Sequence, residues 1–176
     1  MFFLYFFVSL VTTFLLTAGV RFVMQRGGIV DMPKTEKRKI HKKKIPLGGG
    51  IAIYIAFFAI TSIAIAFGTV GESIGPQMLL LVALAGLVLM IGGVLDDKYV
   101  LRPMHQIIFP VLSAGIVAFA GIGPSDITNP FGGTISLSAV LGFVTLGHIL
   151  VFLWLIGMMF TTKFLDGLDG LVSGIV

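Results

Sequence analysis

Four aspartates in two short motifs, together with one basic stretch, hold most of the chemistry this sequence can offer. The first motif is Gly92-Gly93-Val94-Leu95-Asp96-Asp97-Lys98-Tyr99 and the second is Asp166-Gly167-Leu168-Asp169-Gly170-Leu171. The basic stretch, Lys37-Arg38-Lys39-Ile40-His41-Lys42-Lys43-Lys44, leads through Ile45-Pro46-Leu47 into Gly48-Gly49-Gly50. Neighbouring carboxylates suit a hard cation: Mg²⁺ is held by one or two of them while substrate phosphates fill other positions. Asp96 and Asp97, at the expected C-terminal end of a helix, also face the negative end of its macrodipole, at a cost of about 0.3 to 1 kcal/mol per charge. Lys98 offsets that cost without any metal, and both readings stand at this point. If the second motif is helical, Asp166 and Asp169 share a face, and Gly167 and Gly170 leave backbone open to a ligand. Glycine is a poor helix former, so a ligand site explains this motif better than an ordinary loop does. His41, Lys43 and Lys44 match phosphate oxygens, and the glycines behind them allow close approach of an anion to a helix start. The plainer alternative for these cations is an anchor at an anionic membrane face.

The elements that must position these residues are membrane helices. Charged residues make up 11% of the 176 and apolar residues 57%, with a mean hydropathy of +1.08; an ordinary soluble domain carries about 25% charge. The absence of cysteine excludes a disulfide framework and a Cys-based metal site. The net charge of +4 does not indicate nucleic acid, because the cations lie between long apolar runs. Five such runs are expected to span a bilayer, near residues 2–20, 48–67, 77–95, 107–122 and 137–160. Pro110 falls in the first turn of the fourth, where a missing N–H costs little. The first run lacks a basic start and a small-residue cleavage site, so it reads as a retained span. Asn129-Pro130-Phe131-Gly132-Gly133 reads as a turn, and His148 is expected mid-span as an interhelical hydrogen-bond donor.

Lysine and arginine set the orientation. Nine lie between Arg21 and Lys44, two are Lys98 and Arg102, and the twelfth is Lys163. Five alternating spans put all of them on one side, with Glu72 and Asp126 on the other. The positive-inside rule then makes the first side cytoplasmic and the N-terminus external. The expected fold is therefore an all-α polytopic bundle of five spans, a single integral-membrane domain. The apolar run after Asp169 is expected to be the start of a sixth span.

These motifs resemble those of the polyprenyl-phosphate N-acetylhexosamine-1-phosphate transferases, glycosyltransferase family 4, over residues 31 to 176. Asp31-Met32-Pro33, Arg38-Lys39-Ile40-His41 and Pro46-Leu47-Gly48-Gly49 are similar to the family's opening signature. Asp96-Asp97 is similar to its acidic pair, and residues 166–171 to its nucleotide-side motif. The first loop is closer to the UDP-GlcNAc:undecaprenyl-phosphate branch than to the phospho-MurNAc-pentapeptide branch. The resemblance implies an inner-membrane enzyme with its site on the cytoplasmic face. It would transfer GlcNAc-1-phosphate from a UDP-N-acetylhexosamine to undecaprenyl or another polyprenyl phosphate, release UMP, and begin a cell-envelope glycan. The implied cofactor is Mg²⁺, with Mn²⁺ as an alternative, held by Asp96 and Asp97. Asp166 and Asp169 join them as catalytic candidates. Substrate contacts fall to His41, Lys43, Lys44, Gly167, Leu168 and Asp169, and a homodimer is a further option.

Phe160 and Lys163 stand where the family has asparagines, and the Gly-Asp-x-Gly-Ser motif of its second half is missing. The chain is thus expected to be an N-terminal half, inactive by itself. Two rival readings use the same residues. An intramembrane aspartyl protease would share a proton between two aspartates, which leaves the basic loop unexplained. A non-catalytic scaffold or lipid binder of half length would need no catalytic site.

Overall fold

A computed structural model of the chain describes residues 2–31, 44–69, 75–138, 140–141 and 144–165. Among them, four helices are long and apolar enough to cross a membrane. These are α1 (Phe2–Arg26), α2 (Gly49–Ala66), α3 (Pro76–Tyr99) and α6 (Leu146–Leu165). Between α3 and α6 come the single turn α4 (Pro103–Gln106) and the shorter helix α5 (Ile108–Phe119).

Burial runs opposite to that of a water-soluble bundle. The buried apolar set is mostly alanine, namely Ala52, Ala56, Ala64, Ala85, Ala114 and Ala118, whereas Phe3, Phe14, Phe22, Phe57 and Trp154 point outward. Apolar lipid gives large side chains no reason to hide, and small ones let helix backbones approach. The chain is a multi-pass, all-α membrane protein.

Contacts divide the chain into two compact units, Met1–Phe109 and Pro110–Val176. In the first unit, α1 continues six residues beyond the expected Val20, because Arg21 and Arg26 can lay their stems along the apolar surface. A Schellman turn ends it: Gly28 adopts φ 70°, its N–H donates to the Gln25 carbonyl, and the Ile29 N–H donates to the Met24 carbonyl at 3.0 Å. The strands β1 (Val30–Asp31) and β2 (Ile45–Pro46) pair antiparallel, so both ends of the first basic loop are tied together. The Tyr5 hydroxyl meets Thr69 Oγ1 at 2.7 Å and fixes α1 to the far end of α2. Between α2 and α3, the Tyr54 hydroxyl donates to the Ala83 carbonyl at 2.8 Å.

In the second unit, β3 (Asp126–Thr128) and β4 (Thr134–Ser136) form a hairpin. It closes through the expected Asn129–Gly133 turn, with Gly132 and Gly133 both at positive φ. The strands β5 (Val140–Leu141) and β6 (Val144–Thr145) form a second ribbon just ahead of α6.

Two expected segment boundaries shift. The fourth run yields α5 with 12 residues, about 18 Å at 1.5 Å per residue against a hydrocarbon core of roughly 30 Å. Pro103 separates off α4 at one end, and at the other Gly121 turns the chain at φ 72°. The fifth expected span corresponds to α6, which begins at Leu146 instead of Leu137. Hydropathy treats residues 137–145 as part of the span, yet the β-branched Val140, Val144 and Thr145 stand in β5 and β6 instead. His148 is consequently a first-turn residue, not a mid-span one. Its hydrogen bonds lie with the start of its own helix.

Candidate active site

The acidic pair occupies the C-terminal turn of α3. Pro76 begins that helix at its first position, where its fixed φ and missing N–H are tolerated. An uninterrupted apolar run carries it to Asp96 and Asp97. Val100 then stops it in the left-handed region at φ 49°, a strained conformation for a β-branched residue.

Asp96 holds that stop in place. Its Oδ1 accepts the Leu101 N–H at 3.0 Å and the Gln106 side-chain amide at 2.7 Å. Gln106 also donates to the Leu101 carbonyl at 2.9 Å, and the Val100 N–H donates to the Asp96 carbonyl at 2.8 Å. These bonds close a compact loop between α3 and α4. Gln106 was not singled out in the sequence. The available signal was Pro103, which restarts the helix after α3 and brings a polar side chain back over Asp96. Behind the loop, buried Gly92 leaves room for the Phe109 side chain, and a β-carbon there would collide with it.

Asp97 is placed differently. It is exposed at the head of a cleft of about 470 Å³, lined also by Gly48, Gly49, Gly50, Tyr54 and Gly93. The Gly48 backbone N–H is directed at its carboxylate. Gly48 sits at φ 86°, and a side chain at this position would press on Met24. The conformation and the close approach both require glycine there. The glycines that end the basic stretch and the acidic pair of the first motif thus meet at one point. Lys98 lies over the Tyr99 ring, 5.1 Å from its centroid.

The other candidates divide simply. Lys44 is exposed beside β2. His41, Lys43, Asp166, Gly167, Leu168 and Asp169 fall outside the described residues. Lys163 is exposed near the end of α6, and Phe160 packs against Phe164 at 6.4 Å.

The donor chemistry fits a hard cation at Asp97, an exposed oxygen donor beside open backbone. Asp96 is drawn into holding the turn, since its Oδ1 already accepts two N–H donors. Among the described residues, no group of three His, Cys, Asp or Glu side chains gathers. Substrate phosphates and water would have to complete the shell.

The family model described as glycosyl transferase family 4 matches residues 79–176, from α3 through the second aspartate motif. The chain belongs to this family. A probable undecaprenyl-phosphate N-acetylglucosaminyl 1-phosphate transferase of Bacillus subtilis (strain 168) is 28% identical over 171 residues, covering 97% of this chain and 44% of that protein. A decaprenyl-phosphate N-acetylglucosaminephosphotransferase of Mycolicibacterium smegmatis is 28% identical over 169 residues, 94% of this chain and 40% of that protein. Its Mycobacterium tuberculosis (strain ATCC 25618 / H37Rv) counterpart is 27% identical over 172 residues, again 94% and 40%. The family chain spans less than half the length of these curated relatives. No solved structure matches it significantly. The protease and scaffold readings find no support in these relatives.

Proposed function

We propose that this chain is the N-terminal half of a longer polyprenyl-phosphate N-acetylglucosamine-1-phosphate transferase. The enzyme acts at the cytoplasmic face of the inner membrane, with the N-terminus of the chain outside. The observation that carries the proposal is the meeting of Asp97 with the Gly48 amide at the head of a glycine-lined cleft, in a chain of this family.

The acceptor is polyprenyl phosphate and the donor a UDP-N-acetylhexosamine, by preference UDP-GlcNAc. A phosphate oxygen of the lipid attacks the sugar-side phosphorus, the bond to the UMP oxygen breaks, and UMP leaves. The lipid phosphate has a second pKa near 6 and is already mostly ionised at neutral pH. Asp97 therefore orients the acceptor and need not deprotonate it. Asp96 keeps the α3 terminus in shape so that Asp97 faces the glycine backbone. His41, Lys43 and Lys44 neutralise phosphate charge, while Asp166, Gly167, Leu168 and Asp169 contact the nucleotide. Asp96 and Asp97 are the residues that would hold Mg²⁺, which would supply neutralisation of the diphosphate as phosphoryl transfer generally requires.

The test is transfer of radiolabel from UDP-GlcNAc into butanol-extractable lipid, in membranes that lack the host enzyme and contain the full-length protein. Label should enter lipid with Mg²⁺ present and stop with EDTA. Transfer that persists in EDTA refutes the metal assignment, and no transfer from any UDP-N-acetylhexosamine refutes the function. The 176 residues alone should transfer nothing.

A further inference from the structure

The second unit contains an ionisable group that the proposed chemistry does not use. His148 is the third residue of α6, and Thr145 is the residue just before that helix. Four groups of these two residues meet. The His148 N–H donates to Thr145 Oγ1 at 3.3 Å. The Thr145 N–H donates to His148 Nδ1 at 3.0 Å. Thr145 Oγ1 also lies 2.7 Å from the same Nδ1.

This is the reciprocal pattern of a capping box, in which the residue before the helix and the third residue within it satisfy each other's backbone N–H groups. The usual third residue is Glu or Gln, whose side chain accepts. Here imidazole takes that place. A backbone N–H can only donate, so Nδ1 must be the acceptor and the ring proton must reside on Nε2. The Thr145 hydroxyl accepts from the His148 N–H and turns its own proton toward Nδ1. One tautomer is compatible with all three contacts, the Thr145 N–H and hydroxyl sharing the single lone pair of Nδ1. A proton on Nδ1 would set donor against donor and place positive charge at the positive end of the helix macrodipole.

We propose that Thr145 and His148 form a pH-sensitive cap, closed while Nδ1 is unprotonated and open once the imidazole is protonated, so that acid loosens the start of α6. Imidazole is the side chain whose ordinary titration falls between pH 5 and 8.

The surroundings leave protonation little compensation. The Phe119 ring stacks on the imidazole, 5.7 Å between centroids and 25° between planes. The remaining walls come from Ala118, the 121–125 loop, Leu137, Ser138 and Val151, none of them titratable. Asp126, which follows the 121–125 loop and does not line the pocket, accepts a hydrogen bond from the Ser125 hydroxyl at 3.0 Å. No other carboxylate among the described residues of this unit can neutralise an imidazolium.

Opening the cap also removes support from neighbouring contacts. Thr145 pairs with Val140 across the β5–β6 ribbon, and the Gly147 N–H donates to the Leu137 carbonyl at 3.2 Å. Both anchor the approach to α6. The cap stands on its own geometry and does not depend on the proposed transferase activity.

The test uses the 176-residue chain in lipid nanodiscs. Nitrogen NMR of ¹⁵N-histidine at pH 8 should find Nδ1 unprotonated and Nε2 protonated at His148. Amide exchange at residues 145–148, corrected for the intrinsic pH dependence, should lose about fivefold protection between pH 8 and pH 5, in line with the loss of one helix cap. In His148→Gln the box is retained without a titrating group, so protection should stay high and flat. In His148→Leu it should be low at every pH. The proposal is overturned if Nδ1 carries the proton at pH 8, or if protection in the unaltered chain does not change with pH. It is equally overturned if His148→Gln shows the same pH dependence. The tautomer is read in the unaltered chain, so the test survives misfolding of either variant.

Discussion

The cleft at Asp97 and the pocket at His148 are built from similar materials and put them to opposite use. Each has glycine among its walls, a mostly apolar lining and one residue of the Asp or His type. In the first unit the structural hydrogen bonds fall on Asp96 and Gln106, and Asp97 is left facing the cleft beside the Gly48 amide. In the second unit His148 itself carries the structural bonds, through Nδ1 and its backbone N–H. A polar group committed to closing a helix end is poorly placed to act on a ligand. On the proposed function, the adjacent residues of the aspartate pair divide these two duties between them.

That division is broken most sharply by exchanging the two aspartates' charges in turn. In the full-length protein, Asp97→Asn is expected to lower sugar-phosphate transfer by about 10²- to 10³-fold, the scale of losing one preorganised electrostatic contact, with normal abundance in the membrane. Asp96→Asn keeps a carbonyl oxygen that can accept from Leu101 and Gln106, so its loss should be smaller. Equal losses, measured side by side in the lipid-labelling assay, would remove the distinction between the two residues.

Gly92→Val tests the packing behind the pair. A side chain there collides with Phe109, and overpacking of this kind costs about 1 to 3 kcal/mol. The variant should insert but lose resistance to SDS denaturation. Unaltered resistance would mean that Phe109 has room to move aside.

Gln106→Ala should have the smallest effect of these four substitutions. It removes one of two donors to Asp96 Oδ1 and leaves the Leu101 carbonyl with one partner fewer, a loss of about 1 kcal/mol. Exchange of the Leu101 amide should rise severalfold, while Asp97 keeps its place and transfer falls by less than in Asp97→Asn. A fall as large as that of Asp97→Asn would show Gln106 to be part of the reacting site and not a support for it.

Spans with unbroken apolar runs, α2 and α3 above all, were readable because no soluble surface could be made from them. The Asn129–Gly133 turn was readable because its Pro and Gly residues constrain φ locally. The boundaries of α5 and α6 were not, since hydropathy ranks Val140 and Val144 the same in a strand as in a helix. Reading residues 137–145 as span also moved His148 to mid-membrane and hid its cap.

Composition and the spacing of lysine and arginine determined by themselves that this is a multi-pass membrane protein, and local motif chemistry singled out Asp96 and Asp97 as a pair. Both are properties of short windows of chain. Only the tertiary structure decided which of the two aspartates is available. The Asp96 partner lies ten residues away across a strained turn, and the amide facing Asp97 belongs to Gly48 at the start of another helix. Separation along the chain carries no record of such encounters, because they arise when helices pack.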